Sequence, residues 1–422
     1  MYKKTVLDNG LRIISHQMPR RQSLALGIWI NVGGRYESFQ NKGISHFLEH
    51  LLFKGTKKYS CRMIKESIEG VGGSLNGFTA EELTCYLVKM PSRYLNLALD
   101  VLSSMVLNPT LSEKEIDKER TVILEEIKMY KDQPQSYIYD LLDELLWPAQ
   151  PLGLPIIGSE ESVAKINRGS LSLFKEEYYT ASNIVVSITG SFDHDKLIDS
   201  AENIFSSRKR SGKNDFIKVN EEQFSAQIKL LEKPTEQMHM ALGFHGFKRD
   251  HPLKYALSLL NIILGANMSS RLFNEVREKR GLAYEIGTQI KRFQDTGAFI
   301  VHAGIDNQKL PAAIELILKE LAKAKDKLVS EGELLRAKEF QLGQLMLGLE
   351  DTLDHMLWIG ESTTTLDKTY SLDEVIKEVK KVSKDDVRQA ARAIFNENKI
   401  NLALIGPVRD CEEKIKNSLH FK

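Results

Sequence analysis

One five-residue stretch constrains the chain most: His46-Phe47-Leu48-Glu49-His50. Helical residues four positions apart share a face, so His46 and His50 can offer two nitrogens to one metal ion. Glu49 stands between them, beside the position that the metal would leave open. Zinc takes such ligands and makes a water molecule nucleophilic near neutral pH. The stretch therefore predicts a helix that carries half of a zinc site.

The composition limits the size and the partners of the protein. A chain of 422 residues is too long for one ordinary core, so we expect two or more domains. Hydrophobic residues make up 42% and charged residues 27%, which is typical of a globular protein. The net charge of +1 and the lack of a long apolar run predict neither nucleic acid nor a membrane as partner.

The N-terminal segment and the cysteines bear on the compartment. Two lysines near the N-terminus are not followed by an apolar core, so the segment is not typical of a signal peptide. Cys61, Cys85 and Cys411 are far apart and form no C-x-x-C pair. This spacing predicts neither a disulfide framework nor a thiolate zinc site, and it favours a reducing cytoplasm.

Strand-like and helix-like runs alternate and predict an α+β fold of mixed layers. Asn9-Gly10 is a hairpin signal between apolar runs, and Gly33-Gly34 ends an apolar run. A helical period covers 44–53, and a longer one covers 113–131. Further strands are predicted at 11–15, 24–32, 74–79, 83–89 and 184–189.

The two halves of the chain resemble each other. Two S-x-x-E capping boxes, Ser112 with Glu115 and Ser330 with Glu333, each precede a long helix and follow another. We infer a duplicated domain, each copy a mainly antiparallel sheet packed with helices. The alternative is two unrelated helices with similar caps, since capping boxes are common.

The inferred duplication sets the domain boundaries. Residues 1–205 form the predicted zinc-binding catalytic domain, and residues 221–422 form a related domain without metal. Residues 206–220 are the predicted linker, because the run 206–214 is polar and basic without an apolar period. A basic run could also bind an acidic partner, but a solvated linker is the simpler interpretation.

The third zinc ligand should be a carboxylate, because catalytic zinc usually takes three protein ligands and the cysteines are poorly placed. Glu125 lies on the polar face of the helix over 113–131 and is expected in water. Glu119 and Glu126 lie on the apolar face, where a carboxylate is normally paired or metal-bound. The predicted inward face comprises Glu119, Val122, Ile123, Glu126, Ile127 and Tyr130.

These residues resemble the pitrilysin family of zinc peptidases, which includes insulin-degrading enzyme and the mitochondrial processing peptidase. That family follows H-x-x-E-H, the inverted zincin motif, with an E-R-x-x-x-x-x-E segment. Here the segment runs from Glu119 to Glu126, and Glu126 lies 76 positions after His50. The resemblance implies that Glu126 is the third ligand to one Zn²⁺ ion, Glu49 the general base and Glu119 a supporting carboxylate.

The resemblance also implies residues that handle the substrate. Asn76 lies in a segment that resembles the family's substrate-binding edge strand, with Gly77 in place of the usual alanine. We expect this change to be small and to let a substrate backbone approach. Arg277 and Tyr284 have the spacing of a pair thought to hold the substrate next to the metal. Phe53 resembles a residue that lines the pocket after the scissile bond.

One departure from the family concerns substrate choice. The mitochondrial members place two acids after the third ligand, where they recognise a substrate arginine, and the matching residues here are Ser136 and Asp140. With one acid left, we expect weaker dependence on arginine. Family members enclose the site between the halves of a clamshell, and bacterial members of this length are typically dimers. The resemblance therefore implies a homodimer that acts on peptides or unfolded polypeptides.

The sequence leaves structural interpretations open. They are an ion pair with Lys118 or Arg120 for Glu119, an ion pair for Arg277, core packing for Tyr284 and Phe53, and a turn for Asn76. For the whole chain, the main alternative is a non-catalytic structural or chaperone-like relative that binds polypeptides. A zinc hydrolase of small molecules is a third. The presence of all three ligands and a base favours a zinc endopeptidase.

Overall fold

The structure is a computed structural model that describes residues 2–206, 215–408, 415 and 418–421. Most of the basic run of the predicted linker, and Cys411, lie outside these residues. The chain forms two compact units. Unit 1 contains the residues up to Lys128, Leu154–Ile217 and Met346–Leu372, and unit 2 contains Met129–Gly153, Lys218–Leu345 and the residues from Asp373 onward.

Groups of strands alternate with groups of helices along the chain. In chain order the strands are β1 Lys3–Val6, β2 Arg12–Gln17, β3 Ser23–Ile30, β4 Ser74–Thr79, β5 Thr84–Pro91, β6 Ile184–Gly190, β7 Gln227–Glu232, β8 Gln237–His245, β9 Ala283–Arg292, β10 Gly297–Asp306 and β11 Asn401–Gly406. The predicted strand at 74–79 is β4 with the same bounds. The predicted hairpin at Asn9-Gly10 joins the antiparallel strands β1 and β2, with Gly10 at a φ of 90°.

The helices vary from about two to about five turns. In chain order they are α1 Ile44–Leu52, α2 Cys61–Glu69, α3 Leu95–Leu107, α4 Glu113–Lys131, α5 Pro134–Leu146, α6 Glu160–Lys165, α7 Arg168–Tyr178, α8 His194–Phe205, α9 Lys254–Leu264, α10 Leu310–Asp326, α11 Glu331–Gly348, α12 Thr352–Leu366, α13 Leu372–Lys381 and α14 Lys384–Ile394. Phe273–Glu278 forms a π-helical turn. Across the part of the chain that the structure describes, no helix has both the length and the apolar character needed to cross a membrane.

The two sheets have the same topology. Unit 1 has the strand order β1-β2-β6-β3-β5-β4, and unit 2 has the order β7-β11-β8-β10-β9. Apart from β1, both sheets pair the first and the fifth strand in parallel and all other neighbours antiparallel. This shared order confirms the predicted α+β fold with two related, duplicated domains.

The sheet of unit 1 is covered on both faces. Leu24, Leu26 and Ile28 of β3 pack in the same core cluster as buried residues of α1 and α3. The alternate residues Ala25 and Trp29 pack in a second cluster that includes residues of α12. Because both faces are buried, β3 has no polar residue after Ser23 instead of alternating apolar and polar residues.

One helix of each half of the chain packs in the unit formed mainly by the other half. Helix α12 packs on β3 and β6 of unit 1, and α5 packs on β8 and β11 of unit 2. The compact units are therefore discontinuous, unlike the contiguous domains 1–205 and 221–422 expected from the sequence. An amphipathic pattern shows that a helix buries one face, but not which sheet that face will cover.

Glycines allow these helices to lie close to the sheets. A Cβ atom at Gly360 of α12 would lie 2.3 Å from the Trp29 indole, and one at Gly27 would lie 2.6 Å from Met356 Sδ. In unit 2, a Cβ atom at Gly243 of β8 would lie 3.0 Å from the side chain of Leu142 on α5. The contact with the rigid Trp29 indole needs a residue without a side chain, whereas the Met356 and Leu142 side chains would have to shift to admit a larger residue.

Candidate metal centre

Helix α1 has the amphipathic arrangement that the sequence predicts. It follows Gly43, which has a φ of 94°, and it buries Phe47, Leu48 and Leu51 in the core of unit 1. The apolar residues fix the rotation of the helix about its axis. His46 and His50 therefore share the remaining side, where both are half-buried.

Helix α4 brings two carboxylates to the same region. Its fully buried residues are Ile116, Glu119, Ile123 and Ile127. Glu126 is half-buried and Glu125 is exposed, as expected from the sequence. The prediction for Val122 is wrong, because its side chain is 49% exposed. The buried stripe is narrower than the predicted face, since it follows steps of three and four residues from Ile116.

The structure brings His46, His50 and Glu126 together. Glu126 Oε2 lies 3.9 Å from His46 Nε2 and 3.7 Å from His50 Nε2. One ligand atom from each residue lies within 4.8 Å of the others, a grouping seen nowhere else among the described residues. Ligands bound tetrahedrally to zinc at about 2.1 Å are about 3.4 Å apart. The three side chains therefore fit a zinc ion with small rotations.

His46 has the protonation that a metal ligand needs. Burial, reinforced by the proximity of His50, lowers the pKa of His46 to about 3. The imidazole of His46 is therefore neutral at neutral pH, and a neutral imidazole is the form that binds metal. The ring centroids of His46 and His50 are 4.6 Å apart, as expected for residues four positions apart on one helix.

Glu119 contacts the ring nitrogen of His50 that does not face Glu126. Its Oε2 lies 3.2 Å from His50 Nδ1, and its Oε1 lies 2.7 Å from Lys54 Nζ. When His50 Nδ1–H donates to this carboxylate, the lone pair of Nε2 faces Glu126. Carboxylates that orient a metal-binding histidine in this way fix its tautomer and increase its basicity.

The basic neighbours of Glu119 on α4 have other partners. Lys118 pairs with Glu115 at 3.0 Å, and Arg120 donates to the carbonyl of Ile166 at 2.7 Å. The same-helix ion pair considered for Glu119 is therefore wrong. Lys54, which takes that place, was not among the predicted residues, because it lies beyond the end of α1 and meets Glu119 only in the folded structure.

Glu49 lies beside the cluster as a buried carboxylate. It is 9% exposed, and burial raises its pKa, with Glu126 adding to the effect and His50 opposing it. A Cβ atom at Gly77 would lie 2.9 Å from Glu49 Oε1, so the carboxylate lies against the backbone of β4. A raised pKa suits a group that must accept and then release a proton.

Strand β4 is an edge strand, because it ends the strand order of unit 1 and pairs with β5 alone. Asn76 is exposed in the middle of β4, so the turn interpretation is wrong, and its Oδ1 accepts from Gly77 N–H at 2.8 Å. A Cβ atom at Gly77 would also lie 2.9 Å from Phe53 Cζ. A change between glycine and alanine is therefore not small here, contrary to the expectation from the sequence.

Phe53 follows α1 directly and has the core packing that was one of the interpretations left open by the sequence. It packs against the core of unit 1, with its ring centroid 6.2 Å from that of Tyr86, and its tip reaches Gly77. Behind it, the buried hydroxyls of Tyr86 and Tyr179 lie 2.9 Å apart. No motif indicated this tyrosine pair, because it joins positions 93 residues apart.

The predicted substrate residues of the second half lie in unit 2. Tyr284 is 73% exposed, so the core interpretation is wrong. The Arg277 guanidinium lies 5.8 Å from the ring centroid of Tyr284 and 4.7 Å from that of Phe273. Its closest carboxylate contact, with Glu278, is 4.0 Å long. Stacking on aromatic rings, more than an ion pair, holds this arginine.

Asp140 lies on α5, in unit 2, and not in the unit that contains His46, His50 and Glu126. Burial, and then the charge of Asp140, raise the pKa of Tyr130 to about 12. The Tyr130 hydroxyl donates to the carbonyl of Ser136 at 3.4 Å.

Comparisons with known proteins agree with this arrangement. Residues 12–160 match the family model "Insulinase (Peptidase family M16)", and residues 165–340 match "Peptidase M16 inactive domain". The chain is 40% identical to "Uncharacterized zinc protease YmxG" of Bacillus subtilis over 96% of this chain and 98% of that protein. It is 34% identical to "Uncharacterized zinc protease SCO5738" of Streptomyces coelicolor, over 97% of this chain and 90% of that one.

A solved structure shows the same fold. The crystal structure of a protease from Helicobacter pylori matches with a TM-score of 0.90 at 23% identity, covering 96% of this chain and 99% of that one. The two halves of our chain match two different models of one family, and the metal cluster lies in the half that matches the insulinase model. The chain belongs to peptidase family M16, the pitrilysin family.

Proposed function

We propose that the protein is a zinc-dependent endopeptidase that hydrolyses peptides or unfolded polypeptide segments with metal-activated water. The observation that carries this proposal is the convergence of His46, His50 and Glu126, with the buried carboxylate of Glu49 beside them. Two histidines and a glutamate are a ligand set typical of catalytic zinc.

The residues of the cluster have separate tasks. His46 Nε2, His50 Nε2 and a Glu126 oxygen would hold the ion, and Glu119 would keep His50 in the required tautomer. Bound zinc supplies Lewis acidity, which lowers the pKa of a water molecule to near 7 and polarises a carbonyl group. Glu49 takes the proton of the attacking water and later gives a proton to the leaving amine.

The substrate would bind as an extended chain along β4. The free edge of this strand can add another strand by main-chain hydrogen bonds, a common way of binding a peptide. The register would place the peptide beside Asn76 and Gly77, where β4 touches Glu49. From the family resemblance, Arg277 and Tyr284 would contact the substrate, and the functional form would be a homodimer.

The direct test is Glu49→Gln. This variant removes the base but keeps the ligands, so we expect one zinc ion per chain and at least about a hundredfold loss of peptide hydrolysis. Zinc content and cleavage of a denatured-protein digest, followed by mass spectrometry, measure the two effects. Glu125→Gln, an exposed change on α4, should leave both unchanged. A zinc-loaded wild-type protein that binds polypeptides and cleaves none would favour the non-catalytic alternative.

The single acid at Asp140 bears on cleavage preference. We expect the enzyme to cut peptides both with and without arginine two residues before the cleaved bond. A peptide library read by mass spectrometry tests this, with Asp140→Asn as the variant that should weaken any remaining preference for arginine. An arginine at that position in every cleaved peptide would contradict the proposal.

A further inference from the structure

The start of α1 is capped by a carboxylate from an earlier turn of the chain. Gly43 has no side chain with which to cap the helix that follows it. Instead, Glu37 Oε2 accepts from Gly43 N–H at 2.9 Å and Glu37 Oε1 accepts from Ser45 N–H at 2.7 Å. The first amides of a helix have no partner within the helix, and they carry a partial positive charge that attracts a carboxylate.

A buried lysine balances the charge of Glu37. Lys42 Nζ lies 3.5 Å from Glu37 Oε2 and donates to the carbonyl of Gly34 at 2.7 Å. Both side chains are almost completely buried. A Cβ atom at Gly34 would lie 2.9 Å from Lys42 Nζ, so the glycine makes room for the ammonium group. The pair replaces the hydration that both charges lose on burial.

The backbone before α1 is confined as well. A Cβ atom at Gly43 would lie 2.6 Å from the carbonyl oxygen of Ile157, and one at Gly158 would lie 2.5 Å from the carbonyl oxygen of Lys42. Two chain segments therefore meet in direct backbone contact at the start of the helix. The first turn of α1 has little room to move while Glu37 holds its amides.

We propose that Glu37 is a positioning residue that fixes the start of α1 before metal binds and thereby raises the zinc affinity of His46 and His50. The inference rests on the proposed zinc centre. His46 is the third residue of α1, so it lies in the turn whose amides Glu37 holds. Without this cap the first turn would fray, and zinc binding would have to order it again, which lowers the affinity.

The test compares two glutamates that cap helices with and without metal ligands. Glu37→Gln keeps the shape of the side chain but weakens its hydrogen bonds with the two amides and removes the negative charge that faces Lys42. The matched control is Glu333→Gln at the start of α11, where Glu333 accepts from Ser330 N–H at 2.9 Å and pairs with Arg271 at 2.7 Å. When all three proteins are metal-free, both variants should unfold at a lower temperature than the wild type.

The zinc affinity, measured by competition with a chromogenic chelator, should distinguish the Glu37→Gln variant from the Glu333→Gln variant. We expect Glu37→Gln to bind zinc at least about tenfold more weakly, and Glu333→Gln to bind it like the wild type. The visible absorption of the cobalt-substituted proteins should change for Glu37→Gln alone. Equal zinc affinity of Glu37→Gln and the wild type would overturn the inference and leave the zinc centre standing. A wild-type protein that binds no zinc would overturn both.

Hydrogen exchange decides the question even if Glu37→Gln does not fold. In the metal-free wild-type protein, we expect the amides of Gly43 and Ser45 to be protected to the same degree as the core of α1. Protection that appears only after zinc is added would show that the metal orders the helix start, and would overturn the inference.

Discussion

At the scale of single side chains, the adjacent residues Glu125 and Glu126 of α4 have opposite environments. Glu126 faces the two imidazoles, while Glu125 is exposed and pairs with Lys128 at 2.8 Å. About two turns earlier on the helix, Glu119 is buried between His50 and Lys54. In the proposed zinc centre, such a carboxylate would act on the metal through the histidine that it holds.

Glu119→Gln should therefore weaken zinc binding without abolishing it. The amide still reaches His50 but loses the charge that holds Nδ1–H and pairs with Lys54. We expect about a 10- to 100-fold loss of zinc affinity by chelator competition. Glu115→Gln, a change on the same helix whose partner is Lys118, serves as the control. Unchanged affinity in Glu119→Gln would show that Glu119 only neutralises Lys54.

Gly77→Ala tests the contact between the edge strand and the base. The new methyl group would meet Glu49 Oε1 and Phe53 Cζ, each at 2.9 Å, and would displace at least one of them. We expect kcat to fall about tenfold with zinc content unchanged, because a misplaced base transfers protons less well. Steady-state kinetics measure this, with Ser74→Ala at an exposed position of β4 as control. Wild-type kcat in Gly77→Ala would show that Glu49 has room to adjust.

At the scale of elements, contacts at both ends and at the centre of α12 hold this helix against the sheet of unit 1. Asp351, which caps its start, pairs with Lys89 at 2.6 Å, and Asp367 beyond its end pairs with Arg12 at 3.1 Å. Near the centre, Gly360 lies against Trp29. Because Trp29 belongs to β3, the close contact at Gly360 places α12 on the sheet of unit 1.

Gly360→Ala should destabilise unit 1. The added methyl group would meet the rigid, buried indole of Trp29 at 2.3 Å. We expect a loss of about 1–3 kcal/mol in the free energy of unfolding, measured with urea. Gly343→Ala on α11 is the matched control, because its Cβ would meet nothing within 4 Å. That change should stabilise the helix by about 0.5–1 kcal/mol. A similar effect of both changes would contradict the close packing of α12.

His355 of α12 should make stability depend on pH. Its Nε2 accepts from the Tyr2 hydroxyl at 2.9 Å, and its ring stacks on that of His16 at 4.5 Å. Burial, and then His16, lower the pKa of His355 to about 4. In the unfolded chain the histidine takes up a proton near pH 6.5. Its contribution to stability is therefore complete above pH 6.5 and is lost as the pH falls towards 4.

The His355→Gln variant removes this titration. We expect the wild-type protein to lose on the order of 2 kcal/mol more than the variant between pH 6.5 and 4. Urea unfolding of the metal-free proteins across that range measures the difference. Parallel pH profiles for the two proteins would show that His355 does not titrate as the structure indicates.

At the scale of the whole molecule, one copy of a duplicated fold carries the three proposed metal ligands. Unit 2 repeats the strand order of unit 1, but Ala337 and Gln344 of α11 stand where α4 has Glu119 and Glu126. Ala337 is buried and Gln344 is exposed. The second copy therefore keeps the architecture without the donor atoms.

The protein should accordingly bind one zinc ion per chain. Elemental analysis after dialysis should give a ratio near one in the wild type and well below one in Glu126→Gln. Chelation should abolish peptide hydrolysis and added zinc should restore it, because the ion supplies the activated water. A ratio near two, or full activity after chelation, would contradict a single catalytic zinc in unit 1.

Local patterns in the sequence were sufficient for several parts of the fold and the site. The helical spacing of His46 and His50, the identity of β4 as a strand and the exposure of Glu125 follow from periods of two and of 3.6 residues. Resemblance to a family added Glu126. The roles of Lys54 and Glu37 could not be predicted from these patterns, because each residue contacts a buried partner outside its own helix or turn.

By itself, the sequence determined which residues are chemically able to hold a metal and which faces of the helices are apolar. Only the tertiary structure decided which of these surfaces meet. In the folded chain, α12 belongs to unit 1 and α5 to unit 2. Gly77 contacts Glu49, and Glu37 accepts hydrogen bonds from the amides at the start of α1. The reason is physical: periodicity records that a surface is buried, whereas the identity of the covering surface depends on close packing between distant segments.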